Sequence, residues 1–171
     1  MILRTPLLTV LLAVALAIWG VVRPPLPAPP LVGEIDRIEI VKSDRILIAY
    51  QDGKPVRRVP IALGFAPTGD KERQGDGRTP EGLFRIDRKN PQSRFHLSLG
   101  IDYPQAEDLE RARTGGYDPG GDIFIHGQPA PLSGRQRIVT DWTAGCIAVN
   151  NEVMEELFAA TPIGTPVEIR P

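Results

Sequence analysis

Cys146 is the single cysteine in a chain of 171 residues, and His126 is one of two histidines. A thiol attacks a carbonyl carbon as thiolate, and its ordinary pKa is about 8.5. A nucleophilic cysteine therefore needs a base, and histidine is the usual one. Gly145 precedes the cysteine. It removes a side chain where a substrate backbone must approach and permits unusual φ and ψ. Consecutive N–H groups at such a turn can hold the oxyanion of a tetrahedral intermediate. The chemistry on offer is acyl transfer through a thioester. Taken alone, the two residues fit equally well a small buried hydrophobe and a hydrogen-bonded core histidine.

Composition removes several other classes. A net charge of −1 supplies no basic field for nucleic acid. One cysteine makes no internal disulfide, and in an oxidising compartment an unpaired thiol is better explained as reactive than as structural. Two histidines and one cysteine match no zinc spacing, so neither a metal nor another cofactor is expected. The Ser-x-x-Lys of serine penicillin-binding enzymes is missing from the sequence.

The elements that must position the pair read as strands. From Ile35, Ile38 and Ile40 alternate with polar neighbours, and Ile46, Ile48 and Tyr50 recur at every second position. Asp52-Gly53 marks a hairpin, and Val56, Val59, Ile61 and Leu63 follow on the return strand. A glycine-rich loop covers residues 64–82, and Leu83–Ile86 is again a strand. His96 sits in an alternating strand, Arg94–Leu99, where a structural role is expected. Residues 102–121 read as an insertion: a charged helix around Ala106 to Arg113 with little apolar face beyond Leu109, then glycines on both sides of Tyr117-Asp118-Pro119. A solvated face is the first reading of this segment and a mobile flap over the site the second. Ile123–Ile125 is a short buried strand leading to His126, and residues 128–141 form a polar loop with Arg135 and Arg137. Asn150 or Asn151 caps a helix with Val153, Met154, Leu157 and Phe158 on one face. Thr161-Pro162 ends it, and Val167–Ile169 is the last strand. The fold class is mainly β, a mixed β-sandwich or barrel with one or two short helices, preceded by an N-terminal apolar helix.

That helix is the uncharged run from Leu7 to Val22. Residues 1–22 read as a signal-anchor, with Trp19 near the interface, or as a cleaved signal peptide, with Ala15-Leu16-Ala17 as the cleavage site. The anchor is the preferred reading. Residues 23–36 are a proline-rich linker, with Pro24, Pro25, Pro27, Pro29 and Pro30 favouring an extended spacer. Both readings export residues 37–170 to the periplasmic or cell-envelope side, and the anchor holds them at the inner membrane through residues 7–22.

His126-Gly127, followed by Thr143-Ala144-Gly145-Cys146-Ile147, resembles the signature of the L,D-transpeptidase (YkuD-type) catalytic domain. Lys42-Ser43-Asp44-Arg45 with its hairpin, and Gly75-Asp76-Gly77-Arg78-Thr79-Pro80-Glu81-Gly82, resemble that family's opening and its structural loop beside the substrate groove. The resemblance spans about Arg37 to Arg170. It implies Cys146 as nucleophile and His126 as general base, with the Gly127 carbonyl orienting the imidazole. It further implies that Thr143, Gly145 and Cys146 shape the oxyanion site, and that carbapenems acylate the thiol. The family usually has His before Gly-Cys and Arg or Asn at the second position after it; this chain has Ala144 and Ala148, as in a branch that reads Asp-Trp-Thr-x-Gly-Cys-Ile-Ala. The implied activity is acyl transfer on peptidoglycan stem peptides, for cross-linking or for anchoring a wall-bound lipoprotein. The alternatives are an L,D-specific hydrolase using the same thioester and an inactive wall-binding β-sandwich.

Overall fold

In the computed structural model, which describes residues 29–171, the alternating segments form strands β1 (Arg37–Val41), β2 (Ile46–Gln51) and β3 (Lys54–Pro60). Asp52 and Gly53 both take positive φ, 50° and 69°, the backbone that a two-residue hairpin with right-handed strand twist requires. Antiparallel pairing sets Ile38 against Ala49 and Ile40 against Leu47, and all four are fully buried. The deeper face of β2 is therefore Leu47 and Ala49, rather than the Ile46, Ile48 and Tyr50 face that alternation suggested. Both faces of the strand are covered, so its pattern carries little information about which one meets the core.

Strand β4 (Gly82–Ser93) is long enough to serve two halves of the sheet. Its first residues pair with β8 (Pro166–Arg170), which lies parallel to β1, and its later ones pair with β5 (His96–Ile101). Then come β6 (Phe124–His126) and β7 (Ile147–Ala148). The eight-stranded order is β3-β2-β1-β8-β4-β5-β6-β7. The chain after β3 returns to the far edge: Ala62 bridges Ala148, and Gly64 bridges Thr143. The sheet thus curls until its two edges meet, which hides ladder groups that would otherwise stay open. The mainly β expectation holds: the sandwich or barrel takes the form of one curled sheet, with two short helices among the described residues.

Helix α1 (Ala106–Gly115) buries only Ala112, as its charged sequence implies. Helix α2 (Asn151–Ala160) is capped by Asn150, whose side chain accepts from the Val153 amide at 2.8 Å. Met154 and Leu157 join the core, with Val153 and Phe158 packed beside them. Ile35, buried and hydrogen-bonded through its amide to Ala160 O, already belongs to this body. Among the described residues no helix is long and apolar enough to cross a membrane. The run at 7–22, expected as anchor or signal peptide, and the first part of the proline-rich linker lie outside the described residues.

Candidate active site

Strands β6 and β7 run parallel with Ile125 opposite Ile147 and His126 opposite Ala148. Side chains two residues apart on a strand share a face, so this register sets Cys146 on the same side as His126. Both side chains line one groove of about 500 Å³, together with Ser93, Arg94, Phe95 and Phe124.

His126 is buried, and its Nδ1 lies 2.7 Å from the carbonyl oxygen of Gly127. A carbonyl only accepts, so Nδ1 carries the hydrogen and Nε2 keeps the lone pair. The orienting role expected of Gly127 thus has its geometry. Phe95 stacks on the imidazole at 4.6 Å, and Trp142 meets it edge-on at 5.6 Å. A side chain on Gly127 would put Cβ 2.8 Å from Phe95 O and 2.5 Å from Asn151 Oδ1, so only glycine lets these segments close around the base. Burial pushes the imidazole pKa down, against the Gly127 carbonyl, which raises it.

The cysteine turn is stapled by Thr143. Its Oγ1 donates to Cys146 O at 2.7 Å and accepts from the Gly145 amide at 3.1 Å. The Gly145 N–H is therefore committed to Thr143, and the expectation that Gly145 shapes an oxyanion site narrows to backbone form. Gly145 has φ 137°, and a Cβ there would lie 2.7 Å from Arg78 O. Burial pushes the Cys146 thiol pKa up; the Phe124 amide pulls the other way, Asp122 adds to the rise and Lys71 offsets it. The thiol donates to Asp122 O at 3.5 Å. Burial thus shifts both groups toward their neutral forms.

Asp141 fastens the turn from behind. It accepts from the Leu63 amide at 2.8 Å and forms an ion pair with Arg45 at 2.9 Å. The 64–81 loop backs the turn and is held by two buried lysines, Lys71 from within it and Lys42 from the end of β1. Lys42 donates to Gly69 O, Thr79 O and Glu81. Lys71 is paired with Asp76 at 2.8 Å. Burial alone would raise the Asp76 pKa, but Lys71 and the amides of Arg73, Glu72 and Arg78 outweigh it and hold the carboxylate well below its usual range. Sequence reading missed these lysines, because lysine is expected outside. It missed as well Gln128 and Asn151, which pin the 128–141 loop: Gln128 donates to Val149 O, and Asn151 accepts from the Gln128 amide.

Other candidates fall outside the groove. His96 pairs with Glu155 at 2.8 Å and lines no part of it. Arg135 is paired with Glu152, and neither it nor Arg137 lines the groove. The 102–121 segment is tied to the 64–81 loop, through Gln74 N to Asp118 O at 2.7 Å and Arg111 to Lys71 O at 3.1 Å. None of its residues lines the groove, so the solvated-face reading fits it better than the flap.

A buried histidine held through Nδ1, a thiol just ahead of the neighbouring strand and a glycine-forced turn thus share one groove on a curled β-sheet. Residues 35–169 match the family model of the L,D-transpeptidase catalytic domain, YkuD, and the chain belongs to that family. It is 29% identical over 134 residues to YafK of Escherichia coli K12, provisionally named an L,D-transpeptidase, covering 75% of this chain and 48% of YafK. Among solved structures it resembles the helical cell shape determining protein Pgp2 of Campylobacter jejuni, with 28% identity, a TM-score of 0.61, and coverage of 81% of this chain and 48% of Pgp2. The L,D-transpeptidase of Xylanimonas cellulosilytica, at 21% identity and TM-score 0.52, covers 84% of this chain and 64% of its own and shares the fold. The chain spans about half the length of YafK.

Proposed function

We propose that this protein is an L,D-transpeptidase that transfers acyl groups on peptidoglycan stem peptides through a Cys146 thioester. One observation carries the reading: the Gly127 carbonyl holds Nδ1 of His126 as a donor, leaving Nε2 as a proton acceptor in the groove that Cys146 lines. Family membership supports the substrate class. The pair starts neutral. As Sγ attacks the carbonyl carbon of the L,D bond, its proton passes to Nε2. Backbone amides at the turn other than that of Gly145, with Cys146's own amide nearest the thiol, hold the oxyanion. The carbon–nitrogen bond breaks, the imidazolium protonates the departing amine, and a thioester remains. An acceptor amine then takes the acyl group and gives a cross-link or an attached lipoprotein.

We place this chemistry at the periplasmic or cell-envelope side, with residues 7–22 as inner-membrane anchor. The Pgp2 likeness supports a role in cell shape. Hydrolysis of the same thioester is a second reading, and the residue before Gly145 favours it. Ala144 is exposed and offers neither donor nor charge to steer an amine, while water needs less steering. Full-length protein incubated with donor and acceptor stem peptides, followed by mass spectrometry, tests both. Cross-linked product supports transfer, shortened monomers support hydrolysis, and unchanged peptides reject the enzyme in favour of a wall-binding module.

A further inference from the structure

The β4–β5 hairpin turns over Arg94-Phe95, with Ser93 paired to His96 across it. Ser93 Oγ accepts from the Phe95 amide at 3.1 Å and tightens the turn. Phe95 then stacks on His126 at 4.6 Å, and His96, at φ 73°, turns away to meet Glu155 at 2.8 Å. Two anchors on one side of the turn residue thus hold Arg94 where it lines the groove beside the base.

Arg94 is exposed and, among the described residues, has no ion pair or hydrogen bond. It is the one cation lining the groove, again among the described residues. Most other arginines of this body are paired with acids: Arg88 takes Asp87 and Asp122, the latter at 2.9 Å, and Arg78 takes Glu72. Asp122 also lines the groove and is paired with Arg88 at 2.9 Å. A guanidinium presents a planar fork that matches a carboxylate bidentately.

We infer that Arg94 is a specificity-determining residue that receives a free carboxylate of the donor peptide beside Cys146. The identity of that peptide rests on the function proposed above; the anion preference does not. A free carboxylate is available at the end of the leaving residue and on the diaminopimelate side chain, and the two sources are separable by amidation.

Two measurements on the full-length chain test this. The first needs no turnover: the ratio of Cys146 alkylation rates with iodoacetate and iodoacetamide, in which thiolate fraction cancels. Arg94→Gln is expected to lower the ratio about fivefold, the effect of one screened unit charge near contact distance. Arg94→Lys should recover most of it, and added salt should lower the wild-type ratio. An unchanged ratio in Arg94→Gln overturns the inference. The second compares donors with a terminal carboxylate, a terminal carboxamide, or an amidated diaminopimelate side chain. Wild type should show a raised KM for the one amidated form whose carboxylate Arg94 reads, and Arg94→Gln should lose that discrimination. Discrimination kept intact in Arg94→Gln overturns the subsite. If wild type turns over no donor, the proposed function fails while the alkylation ratio still decides the role of Arg94.

Discussion

Thr143→Val removes one hydroxyl at nearly constant volume and strips two hydrogen bonds from the cysteine turn. Thr143 is buried, as is Gly145, whose amide loses its acceptor at 3.1 Å; the Cys146 carbonyl loses a donor at 2.7 Å. Leaving a buried polar group unpaired costs about 1–3 kcal/mol, so the two together cost about 2–4 kcal/mol, with the carbonyl at the lower end because water reaches it more easily. For a body of this size that lowers Tm by about 5–12 °C. The turn also positions the nucleophile, and a displacement near 1 Å slows acylation on the order of tenfold to a hundredfold. Differential scanning calorimetry gives the first quantity and stopped-flow acylation of Cys146 the second. Thr143→Ser keeps the hydroxyl and should recover most of both losses. A valine variant that melts within about 1 °C of wild type would show that the turn does not depend on Thr143.

His126→Ala should slow acylation strongly, whereas His96→Ala should change it little, since His96 faces Glu155; equal losses in single-turnover assays would undo the assignment of the base. Alkylation of Cys146 by iodoacetamide should keep rising with pH beyond the ordinary thiol range, about 8.5–9, without a low-pH plateau, because burial raises the thiol and lowers the imidazole. The same shifts shape stability. The unfolded histidine takes a proton that the buried one refuses, so stability falls as pH drops below about 6.5. The unfolded thiol loses a proton that the buried one keeps, so stability falls as pH rises above about 9; chemical denaturation across that range should give a maximum near neutrality, and a steady rise to pH 10 would contradict both directions. Carbapenems should add one molecule to Cys146 by intact mass, and protein left unmodified after long incubation would count against the proposed nucleophile.

The proposed nucleophile and base stood out because one rare thiol and one histidine flank short apolar strands, and the Asp52-Gly53 hairpin and the Asn150 cap were legible because each depends on local backbone chemistry. Long-range closure was not. Nothing in the sequence near Phe95 says that it will stack on His126, or that Arg94 will reach the groove, because a hairpin from elsewhere in the chain delivers both. The Asp141–Arg45 pair and the buried Lys42 and Lys71 were missed for the same reason: their partners are supplied by the tertiary fold, and charge alone predicts exposure. Thr143 was expected to shape the oxyanion site, and what the sequence did not show is the means, a hydroxyl bonded to both the Gly145 amide and the Cys146 carbonyl.

The central claim, a thioester on Cys146, is tested most directly by acid-quenching the full-length protein during reaction with a tetrapeptide stem donor and measuring intact mass. The account predicts a peptidyl adduct that maps to Cys146, forms more slowly in His126→Ala and is missing in Cys146→Ala. Donor turnover by Cys146→Ala at the wild-type rate, or an adduct on any other residue, would contradict it.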